Sequence, residues 1–203
     1  MVSRDWDDTL ARFSPKWRKF LLEREASAYE AIIGKVPKDS QEDISRYTVI
    51  LALAGVFLFH RPEMLKEFDQ KGIGYAAIGL DQRSTSYRNL ASTFEGLRVP
   101  QEVAQSNHLL VRALRDHAAI DRRSAAELRV RGDVESYRSG EKETKSVCKT
   151  ISNLVAGMTL TLRVYFRRGE FDRLFVRRIA DGTDSLNEVP DIYPRDSRIN
   201  RES

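Results

Sequence analysis

The chain is short of cysteine, histidine, proline and glycine, and each shortage excludes something. Its single cysteine, Cys148, rules out an intramolecular disulfide and any zinc site built from several thiolates. That usage fits a reducing compartment, and a cytoplasmic location is expected. The three histidines, His60, His108 and His117, are widely separated, and no Glu-x-x-His is present, which argues against a di-iron carboxylate bundle. Six prolines and eleven glycines in 203 residues are too few for a turn-rich sandwich or a low-complexity chain. A transmembrane helix needs about 20 apolar residues, and the longest uncharged apolar run, 47–59, has thirteen. Residues 1–12 are acidic and polar where a signal peptide would be basic and then apolar, so no leader is expected there.

What is present is 41% apolar and 32% charged residues, a mixture that suits an all-α fold with a sizeable core. The pattern predicts an antiparallel helical bundle built on three long helices at about 82–98, 100–131 and 134–168. Pro100 separates the first from the second, since proline fixes φ for a first helical turn and drives its predecessor out of the α region. Gly132-Asp133 separates the second from the third, glycine supplying a left-handed C′ position. Apolar stripes support each helix. They are Tyr87, Leu90, Ala91, Phe94 and Leu97; then Val103, Leu110, Leu114, Ala118, Ala125 and Leu128; then Val147, Ile151, Leu154, Val155, Met158 and Leu162. Gly140 is a point of kink or fraying in the third. Over 159–166 the pattern also alternates, so a β-hairpin turning near Gly169 competes with helix there.

Before the bundle, Trp6, Leu10, Phe13, Trp17, Phe20, Leu21, Ala28, Ile32 and Ile33 recur at helical spacing, with Ser14 as N-cap and Pro15 at the first helical position. A very apolar helix at about 44–60 follows, carrying Tyr47, Ile50, Leu51, Leu53, Phe57 and Phe59. It is expected to be buried at the centre of the fold, with a short membrane span flanked by Arg46 and Arg61 as the alternative. A short helix is expected over 62–68. Gly72, Gly74 and Gly79 fit neither a dinucleotide nor a Walker fingerprint, and read as a packed connector. Residues 1–180 are thus expected to form one helical domain, with an N-terminal part at 1–71 and a bundle part at 81–180, followed by a flexible polar tail at 181–203.

The helix ending in L-R-V-P, the run Q-E-V-A-Q-S-N-H-L-L-V-R-A-L and the segment R-G-D-V-E-S-Y-R-S-G resemble uncharacterised bacterial helical-bundle domains over about residues 81–160. Some of those domains sit behind a lipid anchor or a membrane helix. The resemblance implies an all-α bundle and carries over no catalytic residues; the lipobox cysteine such an anchor would need is lacking.

Candidate chemistry is sparse. His117 and Asp121, at i and i+4, read as a surface hydrogen bond, and further metal ligands cannot be placed beside them. Cys148 reads as a buried, inert thiol, no base being placeable next to it. The strongest surface feature is Arg163, Arg167, Arg168, Arg173, Arg177 and Arg178, interleaved with aromatic and aliphatic residues. It is either an amphipathic helix with its arginines in water or a docking surface. The expected function is non-enzymatic: a helical-bundle interaction or scaffold protein for a protein partner the sequence does not identify, without a cofactor. Two alternatives stand beside it: membrane association through 47–59, and polyanion or nucleic-acid binding through 163–178, the latter not favoured by a net charge of only +4. The oligomeric state is not written in the sequence.

Overall fold

The computed structural model describes residues 4–34, 36–59, 72–132 and 134–172. Of these, 87% are helical, and the fold is all-α. The helices are α1 (Arg4–Leu10), α2 (Pro15–Ala31), α3 (Lys38–Phe59), α4 (Ile73–Gly96), α5 (Ala104–Arg131) and α6 (Val134–Leu162). Short 3₁₀ turns occupy Gln101–Val103 and Arg163–Tyr165, and a single helical turn occupies Glu170–Asp172.

Helices α4, α5 and α6 fold back on one another. Ion pairs from Arg115 to Glu95 and from Arg129 to Asp81 join α4 and α5 with their numbering running in opposite directions, and Arg123 with Glu143 does the same for α5 and α6. These pairs are exposed, so they mark the register more than they stabilise it. The α5–α6 turn is made by Gly132, whose φ of 66° is the left-handed conformation that a residue with a Cβ resists. The α4–α5 break runs through extended Leu97 and Pro100.

Helices α1 to α3 close the bundle. Trp6, Leu10, Phe13, Trp17 and Leu21 are buried in one apolar cluster with Ile50, Leu51 and Leu53 of α3, Leu90 and Phe94 of α4, Leu110 and Leu114 of α5, and Ile151 and Met158 of α6. Within it the Tyr47 hydroxyl donates to Asn107 Oδ1 at 2.9 Å and lies 3.3 Å from Met158 Sδ, joining α3 to α5 and α6. Arg12 reaches the Asn89 carbonyl at 2.9 Å and ties the α1–α2 joint to α4. A second, smaller cluster of Ala76, Ala77, Leu80, Ala125 and Leu128 lies toward the Gly132 turn.

The structure corrects several expectations. Helix α4 begins at Ile73, not near 82, so Gly74 and Gly79 lie inside a helix. Burial of Ala76, Ala77 and Leu80 offsets the cost of those glycines, about 1 kcal/mol each. Helix α3 begins at Lys38, ahead of the expected 44. Ser14 occupies the N-cap position of α2 but makes no side-chain cap hydrogen bond.

The third long helix ends at Leu162, not 168, and no hairpin forms over 159–166. Leu162 and Phe166 are buried while Leu160 and Val164 are exposed, the spacing of a helical face. After Tyr165 the backbone extends because it pairs with the end of α2. Ile33 N–H donates to the Tyr165 carbonyl at 2.8 Å, Arg167 N–H donates to the Ala31 carbonyl at 2.9 Å, and Ile32 and Phe166 form an isolated antiparallel bridge. The expected helix at 62–68 and the tail at 181–203 lie outside the described residues.

Gly140 sits in unbroken α6 and is buried, so it is neither a kink nor a frayed end. A Cβ there would lie 1.9 Å from Ser124 Oγ and 3.0 Å from Ser124 Cβ. Gly→Ala in a helix interior ordinarily gains about 1 kcal/mol. Here we expect the sign to reverse, with Gly140→Ala losing about 1–2 kcal/mol in urea denaturation through overpacking. Adding Ser124→Gly should recover most of the clash term; a stabilised Gly140→Ala would show that α5 and α6 are not in van der Waals contact at this level.

Candidate functional site

Helix α3, which holds the apolar run 47–59, contributes core. Tyr47, Ile50, Leu51 and Leu53 are buried in the main cluster. Phe57 and Phe59 belong to α3, but their side chains are outside the description. Among the described residues no helix is long and apolar enough to cross a membrane.

Of the six arginines, Arg163, Arg167 and Arg168 are exposed at the end of α6, and Arg173, Arg177 and Arg178 lie outside the described residues. Arg167 is partly a structural residue, since its guanidinium donates to the Glu30 carbonyl. Tyr165 donates to Glu102. That hydrogen bond pushes the tyrosine pKa up to about 12 and holds the Glu102 carboxyl below its usual range. It pins the Arg163–Tyr165 turn against Gln101–Val103. Leu160 and Val164 are 65% and 69% exposed beside these arginines. The segment 160–168 therefore exposes two aliphatic side chains and three arginines on a backbone held to Glu102 and to the end of α2.

A different constellation lies inside the bundle, at one level of α4, α5 and α6. Arg83 Nε and Nη2 grip the two oxygens of Asp121 at 2.6 and 2.5 Å, a bidentate fork. His117 Nδ1 lies 3.2 Å from Asp121 Oδ2 without making a hydrogen bond, so that contact is chiefly electrostatic. The Tyr87 ring stacks on the imidazole, centroids 3.8 Å apart and planes 3° from parallel. From α6, Cys148 is among the groups that raise the His117 pKa. Ser84 Oγ donates to the Ala118 carbonyl at 2.7 Å, and Thr144 Oγ1 to the Gly140 carbonyl at 2.7 Å, so neighbouring hydroxyls are satisfied.

The electrostatics follow from those contacts. Burial favours neutral His117, but its contacts with Asp121 and Cys148 outweigh that and raise its pKa above the ordinary 6.5. Burial likewise favours protonated Asp121, yet His117 and Arg83 outweigh it and hold the carboxyl below the ordinary 3.8. The group is thus an ion pair with an imidazole of raised pKa attached and a thiol at its edge. Among the described residues no three His, Cys, Asp or Glu side chains are arranged to hold a metal ion.

Two expectations are corrected here. The His117–Asp121 pair is buried, each about 1% exposed, because it faces α4 and not water. Cys148 is partly and not fully buried, and it acts on the His117 pKa, because His117 and Cys148 are nearly equidistant from the Gly132 turn and an antiparallel hairpin brings such positions to one level. That symmetry was available in the sequence. Arg83 and Tyr87 could have been found the same way, by folding α4 onto α5 about Pro100.

The pH dependence of stability carries the signature of this layer. His117, with a raised folded pKa, contributes stability that is fully present below 6.5 and lost as pH rises through its folded value; Asp121, with a lowered one, contributes stability present above 3.8 and lost as pH falls. The stability difference between wild type and His117→Gln, from urea melts at a series of pH values, should therefore shrink on the alkaline side of 6.5. Asp121→Asn should cost about 3–5 kcal/mol, since it leaves Arg83 charged and without its carboxylate. A pH-independent difference would mean that His117 is neutral in the fold. Comparison with protein-family models, with curated proteins and with solved structures finds no match to this chain in any of the three.

Proposed function

We propose that the protein is a non-enzymatic helical-bundle interaction or scaffold protein, and that its partner docks on the end of α6. The observation that supports this reading most is the exposure of Leu160 and Val164 beside Arg163, Arg167 and Arg168. Isolated surface aliphatics need no explanation, but two of them within a few residues of three exposed arginines match the make-up of an interface core with a cationic rim. Arginine suits such a place because its planar fork pairs carboxylates and its stem adds apolar contact. The partner expected is a protein with an apolar patch bordered by Asp and Glu. The Tyr165–Glu102 bond and the backbone pairing to Ala31 and Ile33 hold the surface in place before a partner arrives, which lowers the ordering cost of binding.

Polyanion binding through the same arginines is the second reading, supported by their exposure but not by the aliphatic pair. Anchoring through 47–59 has less support, because Tyr47, Ile50, Leu51 and Leu53 are occupied in the core.

The test uses the full chain as bait for native partners, with captured contacts mapped by cross-linking. Leu160→Ser with Val164→Ser should reduce capture tenfold or more, about 1.4 kcal/mol. Arg163→Gln with Arg168→Gln should weaken it and flatten its salt dependence. Both double variants should keep the parent circular dichroism spectrum. If the arginine variant alone loses binding, and single-stranded nucleic acid competes for the surface with a steep salt slope, the polyanion reading replaces this one.

A further inference from the structure

Helix α6 holds two glycines in its interior, and packing within the fold accounts for one of them. A Cβ at Gly140 would strike Ser124, whereas a Cβ at Gly157 would meet nothing within 4 Å, and Gly157 is exposed. In a helix interior glycine costs a factor of about five in stability against alanine. The fold gives no steric reason for it at 157. Ser146, Lys149, Asn153 and Leu160 stand on the same side of α6 as Gly157 by their spacing of three and four residues, and all of them are exposed. The ridge they form is about 21 Å long at about 1.5 Å per residue, and exposed Val164 follows it in the 3₁₀ turn. The opposite side of the helix is occupied, with Thr144, Ile151, Met158 and Leu162 buried.

Charge along this part of the chain is uneven. Between Glu143 and Glu170 there is no acidic residue and there are five basic ones, Lys145, Lys149, Arg163, Arg167 and Arg168, all exposed. Lys145 also pairs with Glu141 at 3.3 Å, and Arg167 with the Glu30 carbonyl. Thirteen consecutive residues without a charge, 150–162, separate Lys149 from Arg163. The ridge is thus uncharged at its middle and cationic at both ends. We infer that it docks an amphipathic helix of a partner protein, apolar at its middle and acidic at both ends, crossing α6 at Gly157. This rests on the reading that a protein partner docks at the end of α6, and adds the partner's shape and the length of the contact.

Residues spaced by three and four make a ridge that fits the groove of another helix, and a missing Cβ at the crossing point lets the two backbones approach toward the short end of the usual separation of about 8–10 Å. Leu160 and Val164 supply apolar contact beside that point, while Lys149 and Arg163 meet the partner's carboxylates and set its orientation. A second copy of this chain fits poorly, since α6 set against α6 opposes lysines and arginines with no carboxylate over 144–169. A nucleic-acid strand fits poorly for a different reason. It carries a phosphate about every 3.4 Å of its axis, and over the uncharged stretch of α6, about 20 Å long, those phosphates would have no cation from this helix.

The experiment titrates the full chain into fluorescein-labelled helical peptides of about 20 residues, long enough to cover the ridge. One peptide carries a Leu and Ala stripe with Glu at both ends, and its twin carries Lys in place of Glu. By fluorescence anisotropy the Glu peptide is expected to bind and to weaken as salt rises, and the Lys peptide to stay free. Gly157→Leu should weaken the Glu peptide by about tenfold or more. Gly157→Ala should weaken it by about threefold while raising the folding constant in urea about fivefold, so that lost binding is not lost folding. The inference is overturned by a Glu peptide that stays free, by equal binding of the two peptides, by binding indifferent to Gly157→Leu, or by a Gly157→Ala chain less stable than the parent. A dimer in light scattering that Gly157→Leu dissociates replaces it with a second copy of the chain. Single-stranded nucleic acid or anionic vesicles that bind the face more tightly than the Glu peptide replace it with a polyanion or a membrane surface. If Leu160→Ser with Val164→Ser lowers capture of native partners and Gly157→Leu does not, the partner reading stands and the helix along α6 falls; if neither lowers it, both fall.

Discussion

Asp121 is a buried carboxylate that only one arrangement of the three long helices can satisfy. Arg83 must arrive from α4 with both nitrogens in line, and His117 must lie one turn away on the same helix. If α4 slid along α5 by a single turn, the carboxylate would be stranded in an apolar interior at a cost of several kcal/mol. Buried ion pairs contribute little net stability compared with well-packed apolar residues, yet they discriminate strongly against misregistered alternatives. Amphipathic helices with long apolar stripes are permissive about register, and this layer removes the permission.

The layer also divides the interior into two unequal cores. Toward the Gly132 turn the residues are small: Ala76, Ala77, Ala125 and Gly140, with Leu80 and Leu128 filling between them. Toward the other end they are large, including Tyr47, Phe94, Phe13 and Trp17. Small residues let α4, α5 and α6 approach closely, while the large ones hold the bundle open and create apolar surface that three helices cannot cover. Helices α1, α2 and α3 bury that surface. The N-terminal aromatics are therefore the lid of the wide end, consistent with their falling in one cluster with all three bundle helices.

Much of this was legible in the sequence, and the exceptions have physical causes. Every stripe residue of α4 and α5 is buried as its spacing required, because a period of 3.6 constrains one face directly. Gly132 ended α5 where a left-handed residue was called for. Boundaries failed where tertiary contacts outweighed local preference. Gly74 and Gly79 were absorbed into α4 by the alanines beside them, and 163–167 left the helix because α2 offered Ala31 and Ile33 as backbone partners. The sequence showed the His117–Asp121 pair and Cys148 separately but not the layer, because Arg83 and Tyr87 are unremarkable alone and the members are scattered at 83, 87, 117, 121 and 148. Only their distances from the two turns connect them.

The backbone clasp between α2 and the segment after α6 joins parts of the chain far apart in sequence; Arg167 and Glu30, which it brings together, are 137 residues apart. Closing a flexible loop of that length costs about 4 kcal/mol in chain entropy, more than a few hydrogen bonds return, so the clasp forms only after the hairpins between have collapsed. On a ribosome adding about 5–20 residues per second, the end of α2 waits on the order of ten seconds for its partner to be made. Through that interval the Ala31 carbonyl and the Ile33 amide lack their backbone partners, and closure of the clasp is timed by synthesis of the segment after α6.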